Sequence, residues 1–150
     1  MGYYISLTGS SFTIPREKLD DAYKALCELN KHDELKRGGS YGPREDGSHG
    51  QIEVWFAWMD PDYPSKCKNA EEIFAALGFD TSETSAGALS LDYYESKAGD
   101  EDYFLDAVTP FVDPGSTLEW RGEDGEMWRD LFNGKTRSRQ SAVIGWREEG

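Results

Sequence analysis

His32 and His49, Cys27 and Cys67, and 29 Asp and Glu side chains are the groups in these 150 residues able to ligate a metal, attack a substrate or move a proton. Neither histidine is spaced with a cysteine or with the other histidine as a zinc site requires. Asp100, Glu101 and Asp102 could ligate a hard cation, but adjacent positions on a helix point in different directions. Three carboxylates in a helical first turn are explained by the helix dipole alone. Glu123-Asp124-Gly125-Glu126 lacks the alternating oxygen ligands of a calcium loop and reads as a turn. The expectation is no structural metal, no cofactor and no redox role.

Covalent catalysis finds no support either. There is no G-x-S-x-G elbow, and neither cysteine has a neighbour that would lower its pKa. His49 would need an orienting partner to act as a general acid or base, and the sequence offers none. Paired carboxylates beside Trp55, Trp58 and Tyr63 would suit a glycosidase, with the rings as a sugar platform. With 29 carboxylates any pair can be selected, and aromatic residues at strand spacing belong first to a core. Gly38-Gly39 follows a helix rather than a strand, so no phosphate-cradling loop is present. Arg121, Arg129, Lys135, Arg137, Arg139 and Arg147, with Trp128 and Phe132, could make a cationic and aromatic patch. A salt-bridged outer sheet face using Glu119, Glu126 and Asp130 accounts for them equally simply.

These groups must be held by the elements that hydrophobic periodicity predicts. Tyr3, Ile5 and Leu7 alternate as in a half-buried strand. Thr13 and Pro15 open a helix whose apolar face is Leu19, Ala22, Tyr23, Leu26 and Leu29. Lys36–Gly50 reads KRGGSYGPREDGSHG, without periodicity, and is expected to be a flexible internal loop. Ile52, Val54, Phe56 and Trp58 predict a second strand, ended by Asp60-Pro61-Asp62-Tyr63-Pro64. Asn69 to Glu72 has a helix-capping form, and Gly78 stands where that helix should stop. Leu89, Leu91 and Tyr93 predict a third strand, and residues from Gly99 to Phe111 a third helix. Asp124-Gly125 and Asn133-Gly134 are two-residue hairpin signals that predict a three-stranded meander. That register sets Trp120 opposite Arg129, Leu118 opposite Leu131, and Trp128 on the outer face between Arg121 and Arg139.

The order β-α-β-α-β-α-β-β-β predicts a single α+β domain over residues 1–150. A mainly antiparallel sheet would carry helices on one face, as in a ferredoxin-like core with an added hairpin. A parallel α/β sheet is the alternative. Five tryptophans, eight tyrosines and seven phenylalanines supply a core for a domain of this length.

The formal net charge is −13. Residues 1–114 carry 22 acidic and 10 basic side chains, whereas residues 115–150 carry 7 and 6. Such a chain repels phosphate backbones and anionic membranes and attracts basic proteins. No apolar run approaches the roughly 18 residues of a membrane span. The chain opens on a strand pattern without a leader, so the expected location is the cytoplasm.

From Gly99 to Lys135 the residues GDEDYFLDAVTPFVDPGS and EWRGEDGEMWRDLFNGK resemble a family of small uncharacterised bacterial and bacteriophage proteins. Their shared mark is a GEDG-x-x-WR hairpin followed by a short turn and GK. The resemblance implies a phage or mobile-element setting and transfers no catalytic residue. The expected function is a non-enzymatic acidic protein that binds a basic, DNA-handling partner and inhibits it, with DNA mimicry as one form. Its contact residues would be Glu17, Asp20, Asp21 and Glu28 on the first helix, Asp60 and Asp62, and Asp100, Glu101 and Asp102. A small-ligand site or enzyme around residues 55–63 and 36–50 is the alternative, and a structural or assembly component a third.

Overall fold

The computed structural model describes residues 2–149. Strand β1 (Tyr4–Ser10) buries Ile5 and Leu7, as their alternation requires. A short β2 (Thr13–Ile14) and a 3-10 turn at Arg16–Lys18 lead into α1 (Leu19–Leu29). Ala22, Leu26 and Leu29 form its buried stripe. Strands β3 (Gly38–Pro43) and β4 (His49–Trp55) follow, then α2 (Tyr63–Lys66) and α3 (Ala70–Leu77). The Asn69 side chain caps α3 by accepting from the Glu72 N–H at 2.8 Å, and Gly78 ends it with a φ of +121°. Three strands, β5 (Asp80–Glu83), β6 (Leu89–Tyr93) and β7 (Glu95–Lys97), precede α4 (Glu101–Val108). The chain closes its sheet with β8 (Thr117–Gly122), β9 (Met127–Phe132) and β10 (Arg137–Ser141).

The fold is α+β with mainly antiparallel sheet and four helices. Five strands pair in the order β10-β9-β8-β1-β7, three in the order β2-β6-β5, and β3 pairs only with β4. Every described pair is antiparallel. This order differs from the ferredoxin-like expectation, whose split βαβ units set strands parallel, and from the parallel alternative. Ile5 and Leu7 of β1, Leu118 and Trp120 of β8, and Phe132 of β9 share one core with Leu26, Phe74, Phe104 and Val108 of the helices.

The expected loop over residues 36–50 is mostly strand. Gly38 pairs with Trp55 and Pro43 with His49, leaving only Arg44–Ser48 as the turn. Glycines hid this ribbon, because a strand without side chains shows no alternation. A Cβ on Gly38 would sit 2.4 Å from the Trp55 Nε1, so the glycine is what lets the indole lie across the ribbon. The second strand also stops earlier than its alternation predicts. Ala57 adopts a left-handed φ of +41°, which turns the chain before Trp58.

The meander forms, but in a different register. Among the residues of the Asp124-Gly125 turn only Gly125 has a positive φ, +87°, whereas a two-residue turn of the primed type needs two. The Gly122 N–H instead donates to the Glu126 carbonyl at 2.9 Å, and Glu123–Gly125 becomes a three-residue loop. That one extra residue slides the pairing so that Trp120 meets Trp128, Glu119 meets Arg129 and Thr117 meets Leu131. A one-residue slide moves a side chain to the opposite face. Trp128 therefore lies on the inner face rather than the outer one, half-buried and stacked on Trp120 with ring centroids 6.4 Å apart. Arg139 does lie over its ring, at 5.7 Å, but Arg121 pairs with Met127 on the other side.

Candidate protein-binding surface

Asp20 and Asp21 occupy the first turn of α1, and Glu17 the 3-10 turn before it. All three are exposed, because the buried stripe of the helix faces the other way. The helix dipole favours carboxylates at this end. Among the described residues no basic side chain comes within ion-pair distance of them. Helix α3 packs against α1, and Glu71 of α3 and Glu83 of β5 line a small cleft of about 190 Å³ beside Leu19. Neither Glu71 nor Glu83 was singled out in the sequence. Glu71 stands in a helical first turn, a signal as plain as that of Asp20, whereas Glu83 is placed only by the tertiary fold.

Glu28, Asp60 and Asp62 lie toward the other end of α1. Glu28 is exposed and pairs with Lys31 at 2.7 Å. Asp60 and Asp62 are exposed in a turn tied to the helix end, where the Asn30 amide donates to the Pro61 carbonyl at 2.9 Å. An 11-residue helix spans about 16 Å, so the predicted carboxylates form two groups rather than one.

The third predicted cluster is not presented to solvent. Asp100 and Glu101 are buried, and each is held by backbone. Asp100 accepts from the Ala57 N–H at 2.6 Å, and Glu101 accepts from the Gly99 N–H at 2.7 Å. Burial pushes the Asp100 carboxyl up and lifts that of Glu101 to about 7. Asp102 is half-buried and engaged by Arg137 at 3.0 Å and Arg139 at 2.9 Å. These three residues fix the start of α4 instead of forming an exposed acidic patch.

Those arginine contacts also draw two members of the cationic group into ion pairs. Arg137 reaches Asp106 at 2.8 Å and Asp130 at 3.1 Å, and Arg139 reaches Asp130 at 3.3 Å. Asp130 is fully buried, and its second oxygen accepts from the Trp120 indole at 3.0 Å. The network satisfies each buried charge and pins β10 to α4. Two of the six basic groups near the C-terminal strands are thus neutralised inside the molecule.

The aromatic side chains and His49 of the alternative site do not share one cleft, although Lys36, Arg44 and Pro61 from its two segments do. Tyr63 is buried with its hydroxyl donating to the Leu26 carbonyl at 2.6 Å, while Trp58 is partly exposed and donates to the Leu77 carbonyl at 3.1 Å. Trp55 belongs to the two-stranded ribbon, and His49 is exposed on it. The open cleft of about 640 Å³ between that ribbon and the end of α1 is lined by Asn30, Asp33, Lys36, Arg44 and Glu53, with none of the four. Among the described residues no group of three His, Cys, Asp or Glu is arranged to hold a metal ion. Cys27 and Cys67 are both free thiols. No described helix is long and apolar enough to cross a membrane.

Compared with known protein families, curated proteins and solved structures, the chain matches none.

Proposed function

We propose that this protein is a non-enzymatic binding protein whose acidic surface engages a basic, DNA-handling protein, as an inhibitor in a phage or mobile-element setting. The observation that carries this reading is the uneven compensation of charge. Arg137 and Arg139 are ion-paired to Asp102, Asp106 and Asp130, whereas Glu17, Asp20 and Asp21 stay exposed and form no ion pair among the described residues. Uncompensated carboxylates at a helix N-terminus, joined by Glu71 and Glu83, make a negative face that steers a cationic partner. A nucleic acid, whose charge has the same sign, would be repelled by that face. Exposed Asp60 and Asp62 extend the negative surface toward the other end of α1.

The test begins with basic proteins retained by the immobilised chain from its native host and identified by mass spectrometry. Association of the purified partner should slow as salt rises, while dissociation changes less, and duplex DNA should compete. The triple variant Glu17→Lys, Asp20→Lys, Asp21→Lys should weaken binding by more than about tenfold, as reversal of a complementary patch does. Binding unchanged in that variant but abolished by Trp58→Ala or by changes in residues 38–55 would replace this reading with the ligand-site one.

A further inference from the structure

We propose that the buried carboxyl pair at the start of α4 is a pH-operated latch on the β3–β4 ribbon, closed in mild acid and released as Glu101 ionises. The ribbon is rooted at Arg37, just before β3, and near Ala57, just after β4. Both roots address Asp100. The Ala57 N–H donates to its carboxylate at 2.6 Å, and the Arg37 guanidinium acts on it from farther off. Beside this bond the chain fits tightly, since a Cβ on Gly99 would stand 3.1 Å from the Ala57 Cβ and 3.3 Å from the Trp58 ring. No strand of the other sheets pairs with the ribbon, so its root sets how it sits on the body.

The latch is closed against a strained residue. Among the described residues Ala57 is the only non-glycine with a left-handed φ, +41°. Such a conformation persists only where the surroundings enforce it. Here the Asp100 bond and the facing Gly99 do so, and both belong to the segment that carries Glu101. Release of that segment frees Ala57 to return to an ordinary conformation.

Glu101 supplies the sensitivity to pH. It is buried next to Asp100, and its carboxyl accepts from the Gly99 N–H at 2.7 Å. The charged and titratable groups around the pair are few. Asp102 follows on the same helix and is met by Arg137 and Arg139 from β10. Tyr94, between β6 and β7, donates to the Lys97 carbonyl at 2.6 Å, and burial and the Glu101 charge both push its phenol up. Among the described residues no cation is ion-paired with Asp100 or Glu101. Burial, with the neighbouring Asp102 and Asp100 charges, lifts the Glu101 carboxyl from 4.5 to about 7. The closed state thus holds a proton that the open state gives up. Closure loses ground as pH rises from 4.5 toward about 7, and the loss is complete above that. Swinging Gly99–Glu101 outward hydrates the new charge at the cost of two backbone-to-carboxylate bonds, whereas unfolding the sheets would sacrifice the whole core. Local opening is therefore the route by which the molecule relieves it.

Hydrogen exchange read by mass spectrometry on the full chain, corrected for the intrinsic pH dependence of exchange, tests the latch. Between about pH 5 and about pH 8, peptides covering residues 38–57 and 99–101 should lose protection by more than about tenfold, while β8 and β9 keep theirs. Glu101→Gln, which keeps an oxygen for the Gly99 N–H, should hold the change within about threefold. Protection independent of pH in the unaltered chain, an equal loss in β8, or a full loss that survives Glu101→Gln would each overturn the proposal. The first two outcomes are read on the unaltered chain, so the test stands even if the variant folds poorly.

Discussion

Glu101 illustrates how one side chain can read one way in sequence and behave another way in the fold. As an acidic residue in a helical first turn it is expected at the surface, yet it is 8% exposed. Burial raises its carboxyl from 4.5 to about 7, so the folded chain holds a proton that the unfolded chain has lost. The folded value is the higher one, so stability is greatest below pH 4.5 for this group and is lost as pH rises toward 7. Above that the penalty is constant, at about 3 kcal/mol, and Asp100 adds to it in the same direction. Glu101→Gln keeps an oxygen to accept from the Gly99 N–H and removes the charge. Urea unfolding at about pH 8 should find the variant more stable by about 1–3 kcal/mol, with the difference shrinking at about pH 5. An equal effect at both values would show that Glu101 is ionised at no cost. The burial is not legible in the sequence, because a helix start fixes the neighbourhood of a carboxylate along the chain and not what packs above it.

Among the elements, legibility followed side chains. The strand at Ile5 and Leu7, the helix at Ala22, Leu26 and Leu29, and the capped helix from Asn69 to Gly78 each write their period in apolar residues, and each was found. Strand β3 and the first residues of β4 were missed because Gly38, Gly39, Gly42 and Gly50 write none, whereas Ile52 and Val54 marked the rest of β4. The three-residue turn at Glu123–Gly125 looked like a two-residue one because Asp124 is chemically suited to both, and φ at a single residue decided the register. The ribbon also has a distinct physical character. It is two-stranded, joins neither of the other sheets, and leaves Tyr41 73% and Ile52 57% exposed. Isolated two-stranded ribbons are marginal in water. Hydrogen exchange should find the amides of residues 39–54 exchanging at least tenfold faster than those of β8 and β9, despite comparable hydrogen bonding. Protection equal to that of β8 would mean that the ribbon is covered in solution.

For the molecule as a whole, charge is arranged in two regimes. The Asp102, Asp106, Asp130, Arg137 and Arg139 network is anchored on the buried Asp130–Arg137 pair, which salt screens weakly. The rest of the net −13 is mostly exposed and repels itself. Thermal unfolding should therefore shift upward by several degrees between about 20 mM and about 500 mM sodium chloride, as the repulsion is screened. A downward shift would show instead that surface pairs such as Lys31–Glu28 and Lys36–Asp33 outweigh the repulsion.

The place of β1 between β7 and β8 has a kinetic consequence. Ile5 pairs with Ser96 on one side and Gly122 on the other, so this interior strand of the largest sheet waits for partners made roughly a hundred residues later. Closing so large a loop is entropically costly, and topologies dominated by such pairings fold slowly. Both edges of β1 are open until Glu95–Lys97 has been synthesised, and the edge that takes β8 stays open to other chains until Thr117–Gly122 follows. Yield in the cell should therefore depend on how quickly translation reaches β8. A pause before Thr117 would lengthen the interval in which a nascent chain is exposed to aggregation, even though the finished protein is unchanged.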